Sequence, residues 1–370
     1  MMLLFSLLIS ALFIGRMVWP LKVKKPVKIL LSGLVIVITF KFHIIKFFGG
    51  PMFFAPDLPP WILITASLLY AVLFIGFFLL LIAEIIAAAA KLCGKPIPAA
   101  IIGKIRSGLF FTAVILAFAG IFNGTKPPQI KQITLTFPNL PEQSENLKIA
   151  VLADLHVDNI TREPEINAIV QRVNALKPDA VFILGDFVDG TTAKRGQDLA
   201  GLSKLRSKYG TFAVPGNHEY FSGYAEWMDF FANHNITMLK NRHTALPCGI
   251  YLAGVTDRAA EKYQLPMPDV AGAVAGIPVG SFTILLSHRP DNADAAAANQ
   301  IDLQFSGHTH GGMIRGLDLI VAALNSGFVS GLYRVSGTTV YVSNGTTIWN
   351  GFPVRLGVPA EITLVTLQKR

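Results

Sequence analysis

The sequence predicts a membrane α-helical region of four transmembrane helices followed by an α/β domain. Three observations predict it. Apolar residues make up 52% of the 370 residues and charged residues only 15%, which is not the composition of an ordinary soluble protein. The apolar excess is concentrated before Thr125, in four long runs. From Leu147 the pattern changes to short apolar runs alternating with amphipathic stretches, as strands and helices packed in layers require. The expected boundaries are 1–124 for the membrane region, 125–146 for a linker and 147–370 for the α/β domain.

The first run, Met1 to Trp19, is broken only by Arg16 near its end. It lacks a basic segment before the apolar stretch, and no small-x-small cleavage site precedes the following lysines, so a retained helix is expected rather than a cleaved leader. The second, Val27 to Phe48, carries Lys41, His43 and Lys46 in its last third. The third, Trp61 to Ala83, is free of charge and long enough to span ~30 Å of hydrocarbon. The fourth, Ser107 to Phe122, extends backwards only by including Lys104 and Arg106. Cations at run ends are expected to reach for the interface. Glu84, directly after the third run, is expected to cap the third helix or face a neighbour.

The net charge of +9 belongs wholly to the membrane part, with eleven Lys and Arg against two acids up to Thr125 and twenty-one against twenty-one thereafter. Arg16, Lys22, Lys24, Lys25 and Lys28 separate runs one and two, and Lys91, Lys95, Lys104 and Arg106 separate runs three and four. The loop from Gly49 to Pro60 has no cation and one acid, Asp57. The positive-inside tendency then places both termini, and the α/β domain, outside the cytoplasm of a multi-pass cell (inner) membrane protein. The balanced charge of the α/β part offers no basic track, so no nucleic-acid partner is expected. Two cysteines, Cys93 and Cys248, lie in different parts of the chain, which excludes a zinc-thiolate site and disfavours a disulfide. Cys248 is expected to be a small buried apolar residue.

Thr125 to Glu145 is rich in Pro and polar residues and reads as a linker with one strand, Gln132 to Phe137. Beyond it, five apolar runs each end in a metal-ligand residue type. Lys148 to Ala153 leads into Asp154 and His156, and Ala180 to Leu184 into Gly185 and Asp186. Thr211 to Val214 leads into Gly216, Asn217, His218 and Glu219. Ser281 to Leu286 leads into His288, and Ile301 to Phe305 into Gly307, His308, Thr309 and His310. Ligands in layered α/β folds gather at the carboxyl ends of strands, which converge on one rim. Any one of these signals is weak, because a Gly-Asp after a strand is ordinarily a turn. Five in a fixed order are not.

D-x-H, G-D, G-N-H-E, a later H and G-H-x-H resemble the calcineurin-like metallophosphoesterase superfamily, over roughly Leu147 to Leu367. The stretch from Gly307 to Gly312, and a tail with Pro353, Arg355, Pro359 and Glu361, resemble its YkuE/YaeI-like branch. The layout is similar to that of transmembrane metallophosphoesterase proteins. Met313 departs from that branch, which often has Gln there, a position that is not a metal ligand. The resemblance implies a four-layer αββα sandwich with two metals at the strand ends. It implies that Asp154, His156 and His310 hold one ion, that Asn217, His288 and His308 hold the other, and that Asp186 bridges them. His218 would be the catalytic residue, acting on the leaving group or the phosphoryl oxygens, with Glu219 orienting it.

A donor set of imidazoles, carboxylates and an amide oxygen, without thiolate, suits two divalent transition-metal ions such as manganese, iron or zinc. Two such ions ~3.5–4 Å apart share a hydroxide and clamp the attacking and leaving oxygens of an in-line displacement. Hydrolysis of a phosphomonoester or phosphodiester is therefore the leading expectation. No Gly-x-x-x-x-Gly-Lys loop or Gly-x-Gly-x-x-Gly fingerprint suggests an NTPase or dinucleotide enzyme. A lipid-precursor pyrophosphatase, similar to those that split UDP-diacylglucosamine, needs a cytoplasmic nucleotide and conflicts with the loop charges. A non-catalytic metal-binding receptor domain is disfavoured because every ligand is present. The linker, spanning only ~25 Å as a flexible chain, keeps the site near the bilayer and favours a lipid-linked substrate. Trp349 and Phe352 lie either at the membrane interface or in the core near the C-terminal strand.

Overall fold

The computed structural model describes residues 2–49 and 56–370, which fall into two units. One comprises the apolar helices together with Asn350–Val354, and the other comprises 124–349 and 355–370. Half of the loop from Gly49 to Pro60, residues 50–55, lies outside the described residues.

In the first unit, α1 (Met2–Phe13) runs into a π-helical turn (Ile14–Val18), followed by α2 (Lys25–Thr39), α3 (Lys41–Gly49), α4 (Pro60–Leu92) and α5 (Ala99–Gly124). Among the described residues, α4 and α5 are each long and apolar enough to cross a membrane. The second apolar run is not one straight helix, because α2 and α3 meet at a 65° bend. Thr39 accounts for the break. Its hydroxyl bonds back to Val35 O and Ile36 O at 2.9 and 3.1 Å, and to Ser10 Oγ at 2.6 Å. Such back-bonding competes with the helical ladder and bends it. The first run gives a shorter apolar helix. α1 approaches α4 closely at Gly76, where a Cβ would lie 2.7 Å from the Phe13 ring.

Glu84 faces two neighbours, with its oxygens 3.0 Å from Arg16 Nε and 2.7 Å from Arg106 Nε. Lys41 does not reach outward as a run-end cation was expected to. Its ammonium bonds Ser67 Oγ at 3.2 Å and stands 4.7 Å from the centre of the Tyr70 ring, so a polar oxygen and an aromatic face hold the charge in place of solvent.

The second unit contains two mixed six-stranded sheets. The strands are β1 (Gln129–Phe137), β2 (Lys148–Leu152), β3 (Ala180–Ile183), β4 (Thr211–Ala213), β5 (Ile236–Met238), β6 (Arg242–Ala245), β7 (Tyr251–Gly254), β8 (Thr283–Leu286), β9 (Leu303–Ser306), β10 (Gly331–Val335), β11 (Thr338–Val342) and β12 (Glu361–Lys369). Their order is β1-β12-β2-β3-β4-β5 in one sheet and β10-β11-β9-β8-β7-β6 in the other. The strand within the segment read as a linker starts three residues earlier than expected and pairs in parallel with β12 along its whole length.

Side-chain alternation explains the layering. Ile149, Val151, Phe182 and Leu184 point into a core shared with Leu252, Ile284, Leu303 and Phe305 of the other sheet. Ala150, Leu152, Val181 and Ile183 point the opposite way, onto Ile166, Val170 and Val173 of the helix Glu163–Ala175 and Trp227 and Phe231 of the helix Tyr224–Asn233. Strands buried on both faces read as apolar runs, which is why β2, β3 and β8 stand out in the sequence, whereas β9 carries the buried polar residues Gln304 and Ser306. Val270, Ala273 and Ala296 cover the outer face of the second sheet. Cys248 is buried, and its carbonyl accepts from Ser144 Oγ at 2.7 Å.

Candidate metal centre

The parallel strands β2, β3, β4, β8 and β9 end on one rim, and the chain turns sharply after each. Five of the residues presented there, Asp154, His156, Asp186, His308 and His310, have φ of +55°, +39°, +53°, +70° and +49°. A side-chain-bearing residue in the left-handed region costs roughly 1–3 kcal/mol and persists only where the surroundings over-determine it. Here hydrogen bonds between the loops do so. Asp154 N donates to Gly185 O at 3.1 Å and His156 N to Asp186 O at 3.0 Å. His308 N donates to the Asp154 carboxylate at 3.0 Å, and His218 N to Asp186 Oδ1 at 2.8 Å. The turns also need two glycines in close approach: a Cβ on Gly185 would lie 2.4 Å from Gly216 N, and one on Gly216 would lie 2.2 Å from Asp186 Oδ1.

All eight residues singled out from the sequence come together. Asp154, His156 and His310 form one cluster, with His156 Nε2 and His310 Nε2 3.0 Å apart. Asp186, His288 and His308 form another, with Asp186 Oδ2 3.2 Å and His308 Nδ1 3.1 Å from His288 Nε2. Asn217 Oδ1 reaches the same His288 Nε2 at 3.2 Å. Asp186 Oδ2 is also 3.8 Å from His156 Nε2 and 3.7 Å from His218 Nε2, between the two clusters.

These donors fit metal ions. The oxygens of Asp186 and Asn217 and a second imidazole nitrogen converge on one ring nitrogen, His288 Nε2, which has at most one proton to share. The other nitrogen of that ring sits 2.7 Å from Leu184 O, which fixes the ring with Nε2 facing the centre. Lone pairs pointing at a common spot among buried carboxylates suit a cation.

The electrostatics agree. Burial works against an ionised Asp186, but His218, His288 and His156 around it hold its carboxyl well below the usual range. Burial raises Asp154, with Asp186 adding to it. Burial opposes a charged His288, yet Asp186 and Asp154 push it up to about 10. His310 is held well below its ordinary value by burial and by His156 and Arg355, and His308 by burial, Arg289 and His288. Neutral imidazoles of this kind are ready ligands.

Two residues, Asp189 and Arg289, escaped the sequence reading, and two that it named, Glu219 and Arg355, have partners it did not give. Asp189 joins His156 and His218: its Oδ2 lies 3.1 Å from His156 Nδ1, and its Oδ1 holds His218 Nδ1. Both rings thereby turn Nε2 toward Asp186. The only sequence signal was a second acid three places after Asp186, in Gly185-Asp-Phe-Val-Asp189. Glu219 has a different partner set from the one expected. Its carboxylate accepts from Asp186 N, Phe187 N and Gly216 N at 3.0, 2.8 and 2.6 Å, tying the β3 and β4 loops together. Arg289 places its guanidinium against Asn217 Oδ1 and Asp257 Oδ2, both at 2.8 Å, and 2.5 Å from His308 Nε2. Arg355, named in the sequence only as part of a tail motif, is buried with Nη2 3.4 Å from His310 Nδ1 and 2.6 Å from Thr347 O.

Trp349 and Phe352 have different surroundings. Trp349 is half-buried and edge-on to the His218 ring, with ring centres 6.5 Å apart. Phe352, counted with the helical unit, is buried 4.8 Å from the Phe74 ring.

A strand-end cluster of this composition defines a metal-dependent hydrolase of phosphoric ester bonds, and comparison with known proteins agrees. The calcineurin-like phosphoesterase family model matches residues 147–312. An uncharacterized metallophosphoesterase of Helicobacter pylori is 37% identical over 265 residues, covering 71% of this chain and 70% of that protein. The transmembrane protein with metallophosphoesterase domain of Bos taurus is 36% identical over 269 residues, covering 69% and 60%. The metallophosphoesterase YkuE of Bacillus subtilis is 27% identical over 240 residues, covering 62% and 82%. The chain belongs to the calcineurin-like phosphoesterase family.

Proposed function

We propose that this chain is a membrane-anchored phosphoesterase with two divalent transition-metal ions, cleaving a phosphomonoester or phosphodiester outside the cytoplasm. Asp154, His156 and His310 would hold one ion, and Asn217, His288 and His308 the other, with Asp186 shared. Bound there, a pair of such ions lowers the pKa of water and neutralises phosphoryl charge. The observation that carries this reading is Asp186 Oδ2, which lies 3.2 Å from His288 Nε2 and 3.8 Å from His156 Nε2 and so reaches both clusters at once.

The remaining work falls to the protein's own groups. Before ions bind, burial at His218 is outweighed by Asp186 and Asp189, which push it up to about 9 and favour the protonated ring that a general acid needs. Its Nε2 faces the centre, and it hands that proton to the leaving-group oxygen as the P–O bond breaks. Such general acids contribute ~10²- to 10⁴-fold. Arg289, at the Asn217 and His308 side of the site, supplies a guanidinium for a phosphoryl oxygen.

Two sheets with helices on their outer faces support the four-layer αββα reading. Two apolar helices long enough to cross a membrane, with the bent pair as a third, support a multi-span anchor, and the shorter Met2–Val18 would have to be the fourth span. The sharing of Glu84 between Arg16 and Arg106 supports placing the first and third loops on one side. The short connection between α5 and β1 supports a lipid-linked substrate. Purified full-length protein should contain close to two transition-metal ions per chain and hydrolyse members of a phosphoester panel spanning lipid-linked and soluble compounds. One ion per chain after full loading, or no turnover on any member, would overturn the reading.

A further inference from the structure

Away from the metal ligands, the second unit contains a cavity of about 410 Å³, within the ~300–1,000 Å³ usual for small-molecule sites. Pro128, Ile160, Ile169 and Ile348 give it an apolar wall, and Arg172 lies on the same wall. Arg172 Nε is buried with no hydrogen-bond partner among the described residues. A buried N–H of a charged group left unpaired is unfavourable, so this atom calls for an anionic acceptor. Glu165, also on the wall, does not supply one, because its Oε2 accepts from Arg162 N at 3.0 Å. The wall begins at Gly124, the last residue of α5, a helix long and apolar enough to cross a membrane. Any ligand with an alkyl chain that partitions into a bilayer is therefore concentrated within a few residues of the cavity.

We infer that this cavity binds an anionic amphiphile from the bilayer, its alkyl chain against Ile160, Ile169 and Ile348 and its charged head on Arg172. The site is distinct from the metal ligands and does not rest on the hydrolytic reading. Its walls do adjoin the strand that presents two of them. Thr346 Oγ1 accepts from Ala153 N at 3.1 Å, and Thr347 Oγ1 donates to Leu155 O at 2.6 Å, on either side of Asp154.

The test uses the full-length protein in nanodiscs of neutral phosphatidylcholine and a fatty acid bearing a diazirine near its methyl end. Photolabelled residues are mapped by mass spectrometry, with the matching fatty alcohol in parallel. Saturable labelling within 160–172 and 346–348 is expected from the acid, and at least fivefold less from the alcohol. Arg172→Gln should lower labelling at least fivefold, and Ala168→Trp, which fills the cavity from an exposed helical position, should abolish it. Labelling confined to the apolar helices, equal labelling by acid and alcohol, or undiminished labelling in either variant would overturn the inference. The acid–alcohol comparison on the unaltered protein stands even if a variant fails to fold.

Discussion

Asp189 holds the Nδ1 nitrogen of His218, and this leaves Nε2 as the only ring nitrogen turned toward Asp186. The same carboxylate holds His156. One acid outside the proposed ligand set thus orients both a proposed ligand and the proposed proton donor. Asp189→Asn should lower kcat or metal affinity by ~10- to 100-fold, the usual effect of losing such a supporting partner. Turnover and bound metal measured on the same sample separate the two. Full activity with full metal content would show that Asp189 is only a packing residue.

His218→Ala should keep both metals yet lose ~10²-fold or more in turnover. The loss should be largest for substrates with poor leaving groups, which need protonation most. A wild-type rate on such a substrate would remove His218 from its role. Asp186→Ala should instead lose both ions, seen by elemental analysis.

Arg289→Ala should raise KM for small phosphoesters by ~10-fold or more, since a hydrogen bond to a charged group contributes ~1.5–3 kcal/mol. Bound metal should stay unchanged. If metal is lost while KM holds, Arg289 serves Asn217 and His308 and does not touch substrate.

Glu219 is buried and accepts three backbone amides, so Glu219→Ala strands buried N–H groups in two loops. A loss of roughly 1–3 kcal/mol per unsatisfied group follows. A thermal melt should show a large fall in midpoint. Chelation of the unaltered protein should also lower the midpoint, reversed by manganese, because a ligand of the folded state alone stabilises it. A midpoint indifferent to chelator would argue against resident ions.

A C-terminal reporter active only outside the cytoplasm should give signal, and one active only inside should stay silent. The opposite pattern would move the proposed active site to the cytoplasm.

The strand ends were legible because β2, β3 and β8 are buried on both faces and so form apolar runs, each closed by a polar ligand type, while β9, which alternates Leu303 and Phe305 with Gln304 and Ser306, was legible through the Gly-His-Thr-His that follows it. Asp189 was not legible. Its place beside His156 depends on a bridge between Val157 and Val188, a tertiary pairing that no local pattern encodes. Glu219 was misassigned because adjacency in sequence suggested His218, whereas the first turn of the helix Asn217–Phe221 points its carboxylate back at the β3 loop. The bend between α2 and α3 was hidden for a similar reason. Val27 to Phe48 is uniformly apolar, and the hydroxyl contacts of Thr39 with Ser10 exist only once α1 is packed there. Trp349 was ambiguous because an aromatic in a turn has the same sequence appearance over a metal site, in a core or at an interface.

The position of β12 bears on how the enzyme is made. It lies between β1 and β2, in parallel with the first and antiparallel to the second. In chain order α1–α5 precede β1, and β2 to β11 all follow before β12. The seam between β1 and β2 stays open until Glu361–Lys369 emerges. β1 and the β2 edge wait unpaired over more than two hundred residues of translation, a long separation that slows closure of a sheet. Until then the exposed edges are open to pairing with other chains. Closure of this sheet is therefore a late step of folding, and a ribosome stalled before β12 leaves inserted helices attached to an unfinished sheet.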